Sequence, residues 1–314
     1  MLSQESSTSC SKGHVAKLLA EYTEWMINYR NSSIETVKKH HLYLMLFLNW
    51  LNIRIRLKRP KLATLSHDKV EAFYLGYCSN HKSGSCEQMR SVLRVFLRFC
   101  FAKGYVTRDL SIAVPTIRTY RLATIPRAIS EDDIDCMLRC IDRKTRAGLR
   151  DYAIIQLLRN YGVRSKQIRT LCLNDINWRN DEIHFCSMKY GKEVSLPLIP
   201  DVGEALLDYL QHGRPECTFP EVFLTLISPV GPIKTPPGFF CIINRRACAA
   251  GLKYTRVGPH MFRHAFATRM LQQKNTLKSI ADMLGHRCIQ TTYIYTKVDF
   301  QNLNQVALEW PEER

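Results

Sequence analysis

Apolar residues recur at helical spacing from residue 12 to residue 29, with Val15, Leu18, Leu19, Tyr22 and Trp25 on one side. A second helix is predicted from Ser32. Glu35, three residues on, completes a capping box, and Val37, His41, Leu44, Phe47, Leu48 and Leu51 turn inward. A third runs from Ser66, its cap, to about Tyr77. A fourth covers about Cys86 to Lys103 and stops at Gly104, a residue suited to the position after a helix end. Its inward face is Met89, Leu93, Phe96, Leu97 and Phe101.

The period then fails. Pro115 to Pro126 carries two prolines, two arginines and no repeat, and reads as a linker. Beyond it, Ser130 caps a helix whose first turn, EDDID, places acids at the positive end of the helix dipole. A longer apolar helix spans about Leu149 to Tyr161 and is closed by Gly162. Alternating segments predict strands from Glu182 to Met188 and from Glu193 to Leu198. They form a hairpin with Tyr190 and Gly191 in its turn and Lys189 and Lys192 at its tip. Helices resume after Pro200, Pro237 and Pro259, and no internal repeat is seen. The fold class is therefore mainly α with a small β-sheet. It comprises a polar tail over 1–12, a helical domain over 13–114, a linker over 115–129 and an α+β domain over 130–314.

Charge narrows the partners. The 314 residues hold 45 Lys and Arg against 28 acids, a net +17, and a surplus of that size meets a polyanion. Nucleic acid comes first, an anionic membrane second, and a basic protein with no polyanionic partner is the plainest alternative. Arg90, Arg94 and Arg98 recur every four residues, which makes one stripe on the fourth helix. A salt-bridged solvent face is the simple reading, but the absence of interleaved acids favours a phosphate-facing stripe. The 12 cysteines form no C-x-x-C pair, and Cys136 and Cys140 lack a second ligand pair, so reduced thiols and no metal are expected. The polar N-terminus carries no signal-peptide core, and the apolar run Leu42 to Leu51 is too short for a bilayer and broken by Asn49. A cytoplasmic protein without membrane association is expected.

Candidate chemistry gathers near the C-terminus. In GPHMFRHAFATRML, Pro259 opens a helix, and His260 and Arg263 leave one side of its first turn, where free N–H groups already favour anions. In NTLKSIADMLGH, Asn275 or Thr276 caps a short helix, Gly285 ends it and His286 follows. Nine residues further on lies Tyr295. Taken singly, a surface Arg with an incidental His, or a core Tyr, is the commoner explanation. Together they provide cations, imidazoles and a phenol, the makings of an activated nucleophile.

H-x-x-R, then L-G-H, then a tyrosine nine residues after that histidine resembles the phage-integrase and Xer family of tyrosine site-specific recombinases. LLRNYGVRSKQIRTLCLNDINW resembles that family's first-arginine motif, with the arginine at Arg164, and MKYGKEVSLPL resembles its lysine-bearing turn, with the lysine at Lys189. The stretch LRVFLRFCFAKGYVTRDLSIAVP is similar to its core-binding domain. The resemblance covers about residues 13 to 305. Three positions depart from it: Gln167 where an acidic residue is usual, Tyr190 for Gly, and Lys297 for His.

The resemblance implies a catalytic set of Arg164, Lys189, His260, Arg263, His286 and Tyr295. Tyr295 would attack a DNA phosphodiester and hold the 3′ phosphate. Arg164 and Arg263 would chelate the non-bridging oxygens, with His286 donating beside them. His260 would assist removal of the phenol proton, and Lys189 would protonate the leaving 5′ oxygen. Tyr293, two residues away, is the rival nucleophile and points the opposite way on a helix. Double-stranded DNA is the implied partner, touched also by Arg90, Arg94, Arg98 and Lys192. The implied assembly is a homotetramer joined by the apolar tail through Leu303, Val306, Leu308 and Trp310. No metal or other cofactor is implied. Two other readings remain: a type IB topoisomerase-like relaxing activity, and a DNA-binding protein without catalysis.

Overall fold

The computed structural model describes residues 5–55, 62–116, 127–186, 193–286, 288 and 291–298. The chain forms two compact units, Met1–Arg121 and Leu122–Arg314.

In the first unit, helices α1 (Glu5–Asn28), α2 (Ile34–Ile55), α3 (His67–Cys78) and α4 (Ser83–Ala102) enclose one core. The buried Tyr22 sits edge-on to Phe96 and Phe99, with ring centroids 5.4 and 5.2 Å away. The local pattern needs four corrections here. Helix α1 begins at Glu5, so residues 5–12 are helical where polarity alone suggested a tail. No proline interrupts them, and extending a formed helix costs far less than nucleating one. Helix α2 is capped by Ser33 rather than Ser32, the Ser33 Oγ accepting from the Thr36 N–H at 3.3 Å. His40 rather than His41 turns into the core. It lies three after Val37 and four before Leu44, on the true 3.6-residue stripe, and its Nδ1 satisfies the buried Tyr22 hydroxyl at 2.7 Å. Phe101 is exposed, and Phe99 and Cys100 fill the inward positions.

The second unit is built around α6 (Arg146–Tyr161), which is buried nearly all round and keeps its enclosed Asp151 paired with Arg150 and Arg246. Helices α5 (Glu131–Arg139), α8 (Pro200–Asp208), α9 (Pro236–Ala249) and α10 (Pro259–Gln272) pack against it. Thr145 caps α6, its Oγ1 accepting from the Gly148 N–H at 3.0 Å. Strands β1 (Ile176–Asn177), β2 (Glu182–Cys186) and β3 (Glu193–Pro197) form an antiparallel sheet in that order. Ile183 opposes Leu196 and Phe185 opposes Val194. Ile183 and Phe185 are buried, and Glu182 and His184 face outward, as alternation requires. β1 has two residues, too few for any alternation to mark it in the sequence. The hairpin turn, with Lys189 and Lys192, lies outside the described residues.

The short helices α7 (Ser165–Arg169) and α11 (Leu277–Met283) and a 3₁₀ helix at Tyr293–Val298 complete the described part of this unit. Phe266, Ala267, Ile280, Leu284 and Tyr295 make a small core of their own. No described helix is long and apolar enough to cross a membrane.

Candidate active site

The site begins where α6 ends. Gly162 takes a left-handed conformation, φ +56°, and its carbonyl accepts from Arg263 Nη1 at 2.9 Å. Two residues on, Arg164 precedes α7. Its backbone N–H donates to Gln167 Oε1 at 2.9 Å, so the amide at the departing position fixes the turn that presents the guanidinium. Arg164 Nη1 then donates to the Leu284 carbonyl at 3.3 Å and Nη2 to that of Gly285 at 3.2 Å.

Helix α10 supplies the second guanidinium. Pro259 occupies its first turn, His260 is exposed there, and Arg263 points into the protein, where Nη2 donates to the same Leu284 carbonyl at 2.5 Å. That carbonyl is available because α11 stops there. Thr276 caps the start of α11, its Oγ1 accepting from the Ser279 N–H at 3.1 Å. At its end, Gly285 (φ +59°) donates to Asp282 at 3.0 Å and His286 donates through its backbone to Ala281 at 2.8 Å. This paired closure fixes His286 one residue past the turn and leaves the Leu284 and Gly285 oxygens for the arginines. The His286 ring bonds through Nδ1 to the Thr292 Oγ1 at 2.8 Å, and Thr292 in turn accepts the Tyr295 backbone N–H at 3.0 Å.

Tyr295 is 2% exposed, whereas Tyr293 is 45% exposed. The two tyrosines point apart, and the one aimed at the arginines is Tyr295. Its hydroxyl lies 3.1 Å from Nδ1 of His264, hydrogen-bonded to it.

The electrostatics follow from burial. The described partners of the Arg164 and Arg263 guanidiniums are backbone carbonyls, not carboxylates. Burial and the neighbouring Arg164 bring Arg263 down to about 10, and burial also lowers Arg164. Burial, then Arg263 and Arg164, hold His286 at about 4, and the same three influences lower His260. All three imidazoles, His264 included, are therefore held below their ordinary value. Burial raises Tyr295, and Arg263 and Arg164 pull it back. The result is a cationic spot beside a phenol, with no carboxylate on either arginine among the described residues, suited to an oxyanion with several oxygens.

Of the residues singled out by sequence, Arg164, His260, Arg263, His286 and Tyr295 converge. Lys189 and Lys192 lie outside the described residues. The basic stripe on α4 is less free than its spacing suggested. Arg90 pairs with Glu87 at 3.7 Å, Arg94 Nη2 donates to the Val114 carbonyl at 2.9 Å, and Arg98 Nε donates to Ser111 Oγ at 3.4 Å. Sequence reasoning missed Thr292 and His264. A signal for His264 was present: it lies four residues after His260, on the same side of α10.

Residues 127–302, more than half of the chain, match the phage integrase family. The chain belongs to that family. Two members from Sinorhizobium fredii (strain NBRC 101917 / NGR234), both named integrase/recombinase, resemble it. With y4rA it is 42% identical over 71% of this chain and 54% of that protein. With y4rF it is 33% identical over 94% of this chain and 70% of that protein. The chain thus spans about half the length of the first relative. Its fold is similar to that of the XerH site-specific recombinase bound to its palindromic difH substrate, with a TM-score of 0.73 and 18% identity over 96% of this chain and 88% of that one.

Proposed function

We propose that this phage-integrase member is a site-specific DNA recombinase that cuts and rejoins strands through a 3′-phosphotyrosyl bond at Tyr295. One observation carries the reading: Arg164 and Arg263 meet, without a carboxylate partner among the described residues, beside the buried phenol. Two forked guanidiniums match the non-bridging oxygens of a phosphodiester, and their fixed charge stabilises the pentacoordinate transition state. His286 and His260 border the same spot. Lys189, in the segment of chain between β2 and β3, protonates the leaving 5′ oxygen. The phosphotyrosine conserves the bond energy, and a 5′ hydroxyl from the partner duplex reverses the step.

Duplex DNA is the partner, held also by Arg90, Arg94, Arg98 and Lys192, and the net charge of +17 supports a phosphate-dominated interface. Exchange between two duplexes needs four nucleophiles, hence a homotetramer on DNA. The enzyme works in the cytoplasm on DNA of a mobile element.

The test is a nicked suicide duplex from the gene's own neighbourhood. Wild-type protein is expected to form a covalent complex that survives denaturing electrophoresis and maps by mass spectrometry to Tyr295. Y295F should bind the duplex with unchanged affinity and form no adduct. An adduct on another residue, or none from the wild type, rules the reading out.

A further inference from the structure

The hydroxyl of Tyr295 has one hydrogen-bond partner among the described residues, and it is neither of the histidines that the motif pattern singles out. It is Nδ1 of His264, at 3.1 Å, with the two rings tilted by 57° and their centroids 5.5 Å apart. The other imidazoles are placed differently. His286 spends its Nδ1 on Thr292, and His260 lies exposed in the first turn of α10. His264 follows Arg263 directly, so one helix carries both a guanidinium aimed at the site and the imidazole that holds the nucleophile.

We propose that His264 is the proton acceptor of Tyr295, a catalytic group for the strand-cleavage step. The inference rests on the recombinase reading and deepens it. The titratable and charged groups around His264 are Arg263 and His260 on its own helix, Arg164 before α7, His286 after α11 and the phenol itself. Burial, His260 and Arg263 all hold its imidazole below the ordinary value, so at neutral pH the ring is uncharged and has a lone pair to offer. With the phenol donating, that lone pair is on Nδ1 and the ring proton is on Nε2.

The step balances as follows. The Tyr295 O–H bond breaks and its proton passes to Nδ1 while the phenol oxygen bonds to phosphorus. The P–O5′ bond breaks, and the 5′ oxygen takes a separate proton from Lys189. On rejoining, the departing tyrosine oxygen recovers its proton from the His264 imidazolium. Transfer runs together with P–O bond formation, because a buried free phenolate is a far stronger base than imidazole.

The experiment measures adduct formation on the suicide duplex for the full-length wild type, H264Q and Y295F across pH. H264Q keeps a hydrogen-bond acceptor but no titrating base. It should bind DNA like the wild type, lose about 10²-fold or more in cleavage rate at neutral pH, and recover as pH rises and hydroxide substitutes. An H264Q rate within threefold of wild type, a faster one, or an unchanged pH profile overturns the proposal. A faster rate would instead make the contact a resting latch. Y295F separates the two levels of the argument, since an adduct in that variant sinks the recombinase reading and not merely the role of His264. If H264Q does not fold, histidine ring titration by NMR in wild type and Y295F decides. Removing the hydroxyl must move the His264 midpoint more than that of His260 or His286, and an unmoved His264 overturns the assignment.

Discussion

Arg164 and Arg263 donate to one backbone oxygen, that of Leu284, although the chain reaches it from positions 120 and 21 residues away. Two cations on one acceptor repel each other. The helix end they converge on carries the negative pole of α11, which offsets part of that repulsion. On the proposed recombinase reading, an arriving phosphate would offset the rest.

Substituting Arg263 should therefore affect chemistry more than docking. R263A is expected to slow adduct formation by about 10²–10³-fold, with R263K restoring little, because an ammonium lacks the planar fork. Duplex affinity measured alongside should change much less. Equal losses in affinity and rate would show that Arg263 serves binding alone.

Stability should depend on pH through the buried imidazole of His40 and the half-buried one of His286. His40 and His286 are each held near about 4, first by burial, against an ordinary 6.5. As pH falls through the unfolded value, the unfolded chain takes up protons that the folded chain refuses until near the folded value. Within that window the unfolded state binds more protons, so stability drops as pH drops. The thermal midpoint should be nearly flat above about pH 7 and decline from about 6.5 toward 4. H40Q should flatten part of the decline, and a midpoint that rises on acidification would contradict the assignment.

Gly162 is expected to resist replacement. An alanine there would adopt a strained φ of +56° and bring its Cβ to 2.7 Å from the Phe266 ring. Strain and overpacking together should cost about 2–4 kcal/mol in denaturant unfolding. Since the Gly162 carbonyl also holds Arg263, cleavage by the folded fraction should fall as well. A neutral G162A would mean that Phe266 yields readily.

The α4 stripe should register in salt dependence. If Arg98 meets a phosphate, R98Q lowers the slope of log affinity against log salt by about one. R90Q should change it less, because Arg90 already pairs with Glu87. Equal slopes for wild type and R98Q would remove Arg98 from the interface.

Much of the molecule was legible before any coordinates. Ser130 and Thr276 cap helices, and Gly104, Gly162 and Gly285 follow helix ends in the left-handed conformation. These are local devices, decided within a few residues, and periodicity with cap chemistry reads them well. The errors fell where the local signal was ambiguous. His40 and His41 are neighbours of equal polarity, and only packing against Tyr22 chose between them. Strand β1 is two residues long and exists because β2 pairs with it.

The site divides in the same way. The sequence alone determined which groups are present and in what order: two arginines, their histidines and a tyrosine at the intervals of the phage-integrase pattern. It determined them because composition, spacing and helix ends are properties of short segments. Only the tertiary structure decided that Arg164 and Arg263 share the Leu284 carbonyl, that Gln167 clasps the Arg164 amide, and that His264 rather than His260 holds the Tyr295 hydroxyl. Those relationships depend on how α10 packs against α6 and how α11 and the Tyr293–Val298 turn close over α10. Contacts across such separations are selected by the burial of a shared core, which no local pattern encodes.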